Sequence, residues 1–161
     1  MSNKFRLSSG GQINRTEKIS FKFNGKTLFG YKGDTLASAL LANGIHLVGR
    51  SFKYHRPRGF LGSGSEEPNA IVQVLKDNAR TEPNIRATQI EIFEGFEAKS
   101  QNCWPSVNFD IGEINSLFSP IFPAGFYYKT FMWPAKLWST YEYFIRKTTG
   151  LGVSATQRDP D

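Results

Sequence analysis

Residues 33–59 have the sequence GDTLASALLANGIHLVGRSFKYHRPRG, which contains the clearest indication of the fold. Asp34 or Thr35 can cap the N-terminus of a helix, because either side-chain oxygen can accept a hydrogen bond from a free backbone amide. The apolar residues that follow fall on one helical face, at Leu36, Ala39, Leu40 and Ile45. Gly44 can adopt the left-handed conformation that ends a helix. The stretch therefore predicts one amphipathic helix with both ends marked.

After this helix the sequence predicts a short apolar strand over 46–48 and then a long loop over 49–69. Glycine and proline interrupt the loop, which is longer than an ordinary connection. The surrounding segment 35–65 contains no carboxylate. Its basic residues are Arg50, Lys53, Arg56 and Arg58. Because long ordered loops often carry function, we expect this basic loop to bind a partner or a cofactor.

Strands are predicted on both sides of the helix. Residues 19–23 alternate apolar and polar side chains, Asn24 and Gly25 are typical of a hairpin turn, and 27–31 form the return strand. Downstream, the β-branched segment 70–75 and the alternating segment 86–93 predict two more strands, separated by a polar turn over 77–84.

Two strands, a helix and two further strands predict an α+β chain with a β-grasp fold, in which a mixed sheet is crossed by one helix and closes near Gly95. Ferredoxins present their iron–sulfur loop in this order, and a plant-type cluster needs four cysteine thiolates, three of them spaced C-x4-C-x2-C. With Gly44 aligned to the glycine that ends the ferredoxin helix, the three loop positions hold Ser51, Arg56 and Gly59. We therefore expect the 2Fe-2S ferredoxin-like scaffold without its cluster and without a metal.

Composition and charge exclude several classes of protein. The net charge is +6, but lysine and arginine form no run, so we expect no nucleic-acid partner. The sequence has no run of about 18 apolar residues, so no membrane span is predicted. The N-terminus does not resemble a secretory signal. The single cysteine, Cys103, excludes an internal disulfide and fits a reducing compartment, most simply the cytoplasm.

The segment from residue 97 onward has a different character. Asp110 is a candidate cap for a short helix over 110–117, and a second helix is predicted over 134–147. Between them lies the aromatic stretch PAGFYYKTFMWP, residues 123–134. This extension is too short to form its own core, so we expect it to bury its aromatic side chains against another body, namely Phe126, Tyr127, Phe131, Trp133 and Trp138.

Other candidate residues favour structural roles. His46 and His55 are too few for a zinc site, and we expect both to be structural. The glycine-rich stretch Ser8-Ser-Gly-Gly11 lacks the lysine of a phosphate loop and is interpreted as a flexible arm or a turn on a partner domain. Two histidines, one cysteine and scattered acids form no nucleophile–base–orienter set, so we expect the chain alone to catalyse nothing and predict no catalytic residue.

Several separate motifs carry a family resemblance. The stretch over 33–59, together with EEPNA, ARTEPNIRAT, SQNCWPS and PAGFYYKTFMWP, resembles the amino-terminal part of the alpha subunit in the heterotetrameric sarcosine oxidase family. The resemblance extends from about Arg6 to Asp161. The changes in sequence character predict a flexible N-terminal arm over 1–16, a ferredoxin-like β-grasp domain over 17–96, an aromatic docking extension over 97–149 and a linker over 150–161.

The resemblance implies that the linker leads to a dinucleotide-binding domain and an aminomethyltransferase-like domain, which with the other subunits would be the partners of this chain. Such complexes act in amine catabolism and oxidatively demethylate sarcosine (N-methylglycine) to glycine with O2 and tetrahydrofolate, using FAD, FMN and NAD. No G-x-G-x-x-G follows a strand here, so those sites are expected outside this chain. The chain would then be a fragment of an oxidoreductase subunit.

Two alternatives stay open at this level. The basic loop could hold a cofactor phosphate or a flavin edge, or it could pair with carboxylates of a neighbouring domain or with Glu66 and Glu67. The chain as a whole could be a docking module of an amine-oxidising complex, or a stand-alone β-grasp protein that binds an anionic partner or nucleic acid. The aromatic extension favours the docking module.

Overall fold

The computed structural model describes residues 5–76, 80–120 and 133–158. These ranges contain strands, α-helices and two 3₁₀ helices, the latter over Ile111–Ser116 and Ala135–Leu137. The strands and α-helices are β1 Asn14–Phe23, β2 Lys26–Lys32, α1 Leu36–Ala42, β3 Gly49–Arg50, β4 Pro57–Arg58, β5 Ile71–Leu75, β6 Thr81–Arg86, β7 Phe96–Ser100 and α2 Trp138–Thr149. No helix in the described ranges has the length and hydrophobicity that crossing a membrane requires.

Five strands form one mixed sheet in the order β2-β1-β7-β5-β6. β1 and β2 make an antiparallel hairpin, β7 runs parallel to β1, and β5 joins β7 to the edge strand β6 through antiparallel pairs. The core between the sheet and α1 is built on large buried side chains, including Phe21, Phe23, Leu36, Leu40 and Phe96. A mixed sheet crossed by one helix confirms the predicted ferredoxin-like β-grasp fold.

Local sequence signals place the hairpin and the helix where they were predicted. Asn24 and Gly25 both have positive φ, 50° and 75°, as a tight hairpin turn requires. Thr35 is the N-cap, and its Oγ1 accepts a hydrogen bond from the Ser38 amide at 3.2 Å. Gly44, with a φ of 76°, follows the C-cap and ends the helix.

The predicted strand over 86–93 is wrong beyond Arg86, the last residue of β6. The chain instead crosses the N-terminus of α1, where the Leu36 and Ala37 amides donate to the Ile90 and Ala87 carbonyls at 2.9 and 2.8 Å. Those amides have no partner within the helix, so the crossing segment satisfies them. The alternating apolar residues reflect burial beneath the helix. Within the sheet, the last strand along the chain is instead β7, which lies in its centre.

The predicted polar turn over 77–84 is wrong for its second half, because β6 begins at Thr81. Residues 77–79 lie outside the described ranges. Proline lacks an amide hydrogen, and Pro83 is accommodated because β6 is an edge strand with a register shift opposite it, between Val72 and Val74. The short strand predicted over 46–48 is likewise displaced, to Gly49–Arg50.

The sheet extends past the predicted boundary at residue 96, because β7 lies between β1 and β5. At the other end, β1 begins at Asn14, inside the predicted arm over 1–16. Arg6 of that arm forms a two-point ion pair with the buried Asp34, at 2.9 and 2.6 Å. The flexibility of the arm stays a prediction.

Both helices predicted in the extension are present. Asp110 caps the 3₁₀ helix Ile111–Ser116, and α2 ends at Gly150, a left-handed C-cap with a φ of 66°. After α2 the chain returns to the outer face of the sheet, where Gln73 and Val153 exchange hydrogen bonds of 2.9 and 3.2 Å. The predicted burial of Phe126, Tyr127 and Phe131 lies outside the described residues.

Candidate functional site

From here on, the basic loop means residues 50–58, the part of the predicted loop that carries the basic side chains. Hydrogen bonds of Ser51 hold its two ends together. The Ser51 amide donates to the Arg56 carbonyl at 2.9 Å, and the His55 amide donates to the Ser51 carbonyl at 2.8 Å. The Ser51 hydroxyl oxygen accepts from the Arg56 amide at 3.0 Å. β3 and β4 pair beneath this turn, so the loop is a small hairpin attached to the main domain.

The three positions that would carry cluster cysteines hold Ser51, Arg56 and Gly59, and each of these residues has a structural role. Ser51 and Arg56 hold the hairpin together. Gly59 is crowded, since a Cβ there would lie 2.5 Å from the His46 carbonyl oxygen. A cysteine side chain therefore could not enter this position without displacing the backbone.

Cys103 cannot supply the missing ligands. Burial raises the pKa of its thiol to about 11, the Asp110 carboxylate adds to the rise, and Arg50 and Lys99 offset it only in part. The group is therefore a thiol at neutral pH in the absence of a metal, and one cysteine could supply only one of the four thiolates that a plant-type cluster needs. Within the described residues no three or more His, Cys, Asp or Glu side chains converge to hold a metal ion. These residues do not fit a 2Fe-2S cluster.

Arg50 lies inside the protein, separate from the other three predicted binding residues. Its Nε donates to the Val107 carbonyl at 3.0 Å, and its Nη1 donates to the His55 carbonyl at 2.9 Å. The same Nη1 lies 3.0 Å from Glu113 Oε2. Its side chain is only 4% exposed, so this guanidinium serves internal contacts.

His55 is buried beside Asp110, with its Nδ1 2.6 Å from Asp110 Oδ2. The other carboxylate oxygen of Asp110 accepts from the Trp104 and Gly112 amides at 3.0 and 3.1 Å. Gly112 packs against the imidazole so closely that a Cβ would lie 2.3 Å from the ring. We call Arg50, His55 and Asp110 the buried charge cluster, whereas Glu113, which contacts Arg50, has a side chain that is 56% exposed.

The remaining basic residues gather around Tyr54. Lys53 Nζ and Arg56 Cζ lie 4.8 and 4.9 Å from the centre of the Tyr54 ring, within cation–π range. Arg56 and Arg58 flank Pro57 in extended chain, which directs alternate side chains to the same side. Arg56 is exposed and Arg58 half-buried. The loop therefore presents a positive surface.

Glu66 and Glu67 do not neutralise this surface. Glu67 is fully buried and accepts from the amides of Leu61, Gly62, Asn69 and Ala70. Burial alone would raise the pKa of Glu67, but these hydrogen bonds outweigh it and hold the pKa below its ordinary value. Glu66 is bound in a similar way, by the amides of Ser63 and Gly64. Both carboxylates organise their own turn.

The extension exposes large apolar side chains in every part that the structure describes. Around the first 3₁₀ helix the most exposed are Leu117 at 75% and Phe109 at 70%. Near α2, Trp133 is 85% exposed and Phe144 59%. Further members are Trp104, Ile111, Ile114, Phe118, Leu137, Trp138 and Tyr143. We call these residues the apolar surface of the extension.

Comparison with known proteins agrees with this fold. The family model described as a 2Fe-2S iron–sulfur cluster binding domain matches residues 16–103. Sarcosine oxidase subunit alpha of Rhizobium meliloti (strain 1021) is 58% identical over 160 residues, covering 99% of this chain and 16% of that protein. The same-named subunit of Corynebacterium sp. (strain U-96) is 39% identical over 107 residues, 61% of this chain and 11% of that protein.

A solved structure, the L-proline dehydrogenase from P. horikoshii, is 28% identical and covers 58% of this chain and 17% of that one, with a TM-score of 0.44. The chain spans only 16% of the length of the curated relative that it matches along nearly its whole extent. With a β-grasp sheet, a loop without cysteines and a family match over 16–103, the chain belongs to the 2Fe-2S iron–sulfur cluster binding domain family, in a form similar to sarcosine oxidase alpha subunits.

Proposed function

We propose that this chain is the amino-terminal structural and docking part of a sarcosine oxidase alpha subunit. The complex is a cytoplasmic heterotetramer of amine catabolism that oxidatively demethylates sarcosine to glycine with O2 and tetrahydrofolate. The identity of 58% to one such subunit supports this assignment. Because the match covers 16% of that subunit, the remainder is large enough to be the docking partner.

The observation that carries the docking role is the apolar surface of the extension. Soluble monomers rarely expose large contiguous apolar patches, and interfaces are enriched in aromatic side chains. Trp133, Leu117 and Phe109 are each at least 70% exposed in the isolated chain. Covering these side chains with the rest of the subunit would remove them from water, which favours association by about 25 cal/mol per Å² of apolar area before the costs of binding.

We propose that the module itself is non-catalytic and that FAD, FMN, NAD and tetrahydrofolate are bound by the rest of the complex. Two features support this. The His55–Asp110 pair, which resembles a base and its orienter, is buried and used to hold the chain together. The one thiol is held protonated, which makes Cys103 a poor nucleophile.

The basic loop is proposed to bind an anionic group of the assembled complex through Lys53, Arg56 and Arg58. Arg50, although part of the same sequence pattern, acts internally. Arginine suits either a phosphate or a carboxylate, since its planar fork can donate two parallel hydrogen bonds. A cofactor phosphate and an acidic protein surface share this chemistry.

Sedimentation velocity of the 161-residue chain, with a fluorescent dye for exposed apolar surface, tests the docking role. We expect self-association and strong dye binding, both reduced in a Tyr143→Ser, Phe144→Ser double variant. Leu61→Ser is the control, since Leu61 is 77% exposed but lies outside the extension. A dye-silent monomer would favour a stand-alone β-grasp protein that binds an anionic partner.

A further inference from the structure

The loop of this chain needs an organiser other than iron. In a cluster-bearing domain the loop is held by thiolates that converge on the metal. Here the buried charge cluster lies beneath the loop and contacts both the loop and the extension. Arg50 reaches the His55 carbonyl on one side and the Val107 carbonyl on the other.

We propose that the buried charge cluster replaces the iron–sulfur cluster as the organiser of this loop, and that His55 and Asp110 are positioning residues that fix the basic loop to the C-terminal extension. The positive surface of the basic loop and the exposed apolar residues around the first 3₁₀ helix are then held in one fixed arrangement. The contacts that carry this proposal are internal to the chain, so it stands apart from the identity of the partner.

Asp110 is the centre of the link, because each of its oxygens serves a different part of the chain. Oδ1 accepts the Trp104 and Gly112 amides and so caps the 3₁₀ helix of the extension. Oδ2 lies against the loop, 2.6 Å from His55 Nδ1. One carboxylate therefore fixes the start of the extension helix and the last turn of the loop together.

The imidazole makes this link through one nitrogen. A carboxylate accepts hydrogen bonds, so the short contact assigns a proton to Nδ1 of His55. The other nitrogen, Nε2, is buried and has no hydrogen-bond partner within the described residues. His55 also has a positive φ of 52°, so the backbone adopts an uncommon conformation to bring the ring to Asp110.

Because the His55–Asp110 contact is buried, its loss should affect both the loop and the extension. The side chains of Asp110 and His55 are 0% and 1% exposed, and Arg50 balances the carboxylate from 3.9 Å. A buried charge that loses its partner is costly, so the structure around it opens to readmit water. Breaking the contact should therefore loosen the loop and the extension at once.

Two substitutions at one position separate this link from simple packing. In His55→Asn the side-chain amide occupies the place of Nδ1 and can still donate to Asp110. In His55→Gln the amide lies further out, near the place of Nε2, and the contact is lost. Amide hydrogen exchange is measured at Ser51 and Arg56 in the loop and at Trp104 and Gly112 in the extension.

We expect His55→Gln to raise exchange at least about tenfold at both sets of amides, and His55→Asn to stay within about threefold of the original chain. A rise confined to the loop would reflect the backbone preference of residue 55 and would overturn the proposal, as would equal rises in the two variants. Nitrogen-15 NMR of the histidines needs no variant. A proton on Nδ1 of His55 is expected, and a bare Nδ1 would overturn the link even if the variants fail to fold.

Discussion

His55 Nδ1 lies 2.6 Å from Asp110 Oδ2, although 55 residues separate the two along the chain. The contact joins the basic loop to a segment beyond the family match, which ends at residue 103. The loop and the start of the 3₁₀ helix Ile111–Ser116 are thus held together. The scaffold has kept its sheet and helix, while ionic and hydrogen-bonded contacts hold the loop in place of thiolates.

Gly112→Ala should destabilise the chain by about 1–3 kcal/mol, the usual cost of overpacking. The new Cβ would lie 2.3 Å from the His55 ring, which Asp110 holds in place. Urea unfolding followed by circular dichroism measures the change. Ser116→Ala in the same 3₁₀ helix is the control, because it adds no atom. Unchanged or increased stability of Gly112→Ala would show that the ring is free to move.

Glu67 should make the stability of the turn over 61–70 pH-dependent. Its pKa is lower in the folded protein than the ordinary value of 4.5, so its stabilisation is present above pH 4.5 and is lost as the pH falls through the folded-state pKa. Glu67→Gln should lower the urea midpoint at pH 7, and the difference from the original chain should shrink as the pH falls below 4.5.

Glu66→Gln is the matched control for this pH series, since Glu66 is exposed and its pKa is also lowered by backbone amides. We expect it to have the smaller effect at pH 7, because solvent screens an exposed carboxylate. A difference between Glu67→Gln and the original chain that is constant from pH 7 to pH 3 would refute the role of the Glu67 charge.

Cys103 should react slowly with iodoacetamide. With a pKa of about 11, only about one group in a thousand is a thiolate at pH 8. Mass spectrometry of the folded chain follows the alkylation, and the chain in urea, where burial is lost, is the fast-reacting control. Incubation with ferrous iron and sulfide should leave no cluster absorption. Rapid alkylation of the folded chain at pH 8 would contradict the protonated thiol.

Arg56→Ala combined with Arg58→Ala should weaken the basic loop's proposed contact in an assembled complex. A fall in flavin or NAD content would identify the anionic group as a cofactor phosphate, whereas weaker, salt-sensitive assembly at full occupancy would identify protein carboxylates. Lys22→Ala, an exposed lysine on β1, is the control. Unchanged occupancy and unchanged assembly would remove the basic loop from the interface.

The parts of the fold that local chemistry determines could be predicted from the sequence. The cap at Thr35, the stop at Gly44 and the turn at Asn24-Gly25 depend on neighbouring residues alone. The strand prediction is wrong for residues 87–93, because the Ala87 and Ile90 carbonyls accept hydrogen bonds from a helix about 50 positions earlier, as in the Leu36–Ile90 bond. Alternating apolar residues indicate that one side of a segment is buried. Here the segment is buried because it packs against the N-terminus of α1, and it does not form a strand.

The candidate site could likewise be predicted only in part from the sequence. The loop's positive charge and lack of cysteine are visible in the sequence, but the sequence grouped Arg50 with Lys53, Arg56 and Arg58. Only the fold reveals that Arg50 faces the extension and that His55 meets Asp110. The residue that could have indicated this contact is Asp110. A helix cap uses one carboxylate oxygen, so the second oxygen of a buried cap needs another partner.

The docking role is tested most directly by complementation. The Rhizobium meliloti alpha subunit, expressed without the segment that this chain matches, is mixed with the 161-residue chain, and complex formation is measured by analytical ultracentrifugation. We expect a stable one-to-one complex that the Tyr143→Ser, Phe144→Ser double variant weakens and the Leu61→Ser control does not. No binding by this chain, under conditions in which the relative's own excised segment binds, would contradict it.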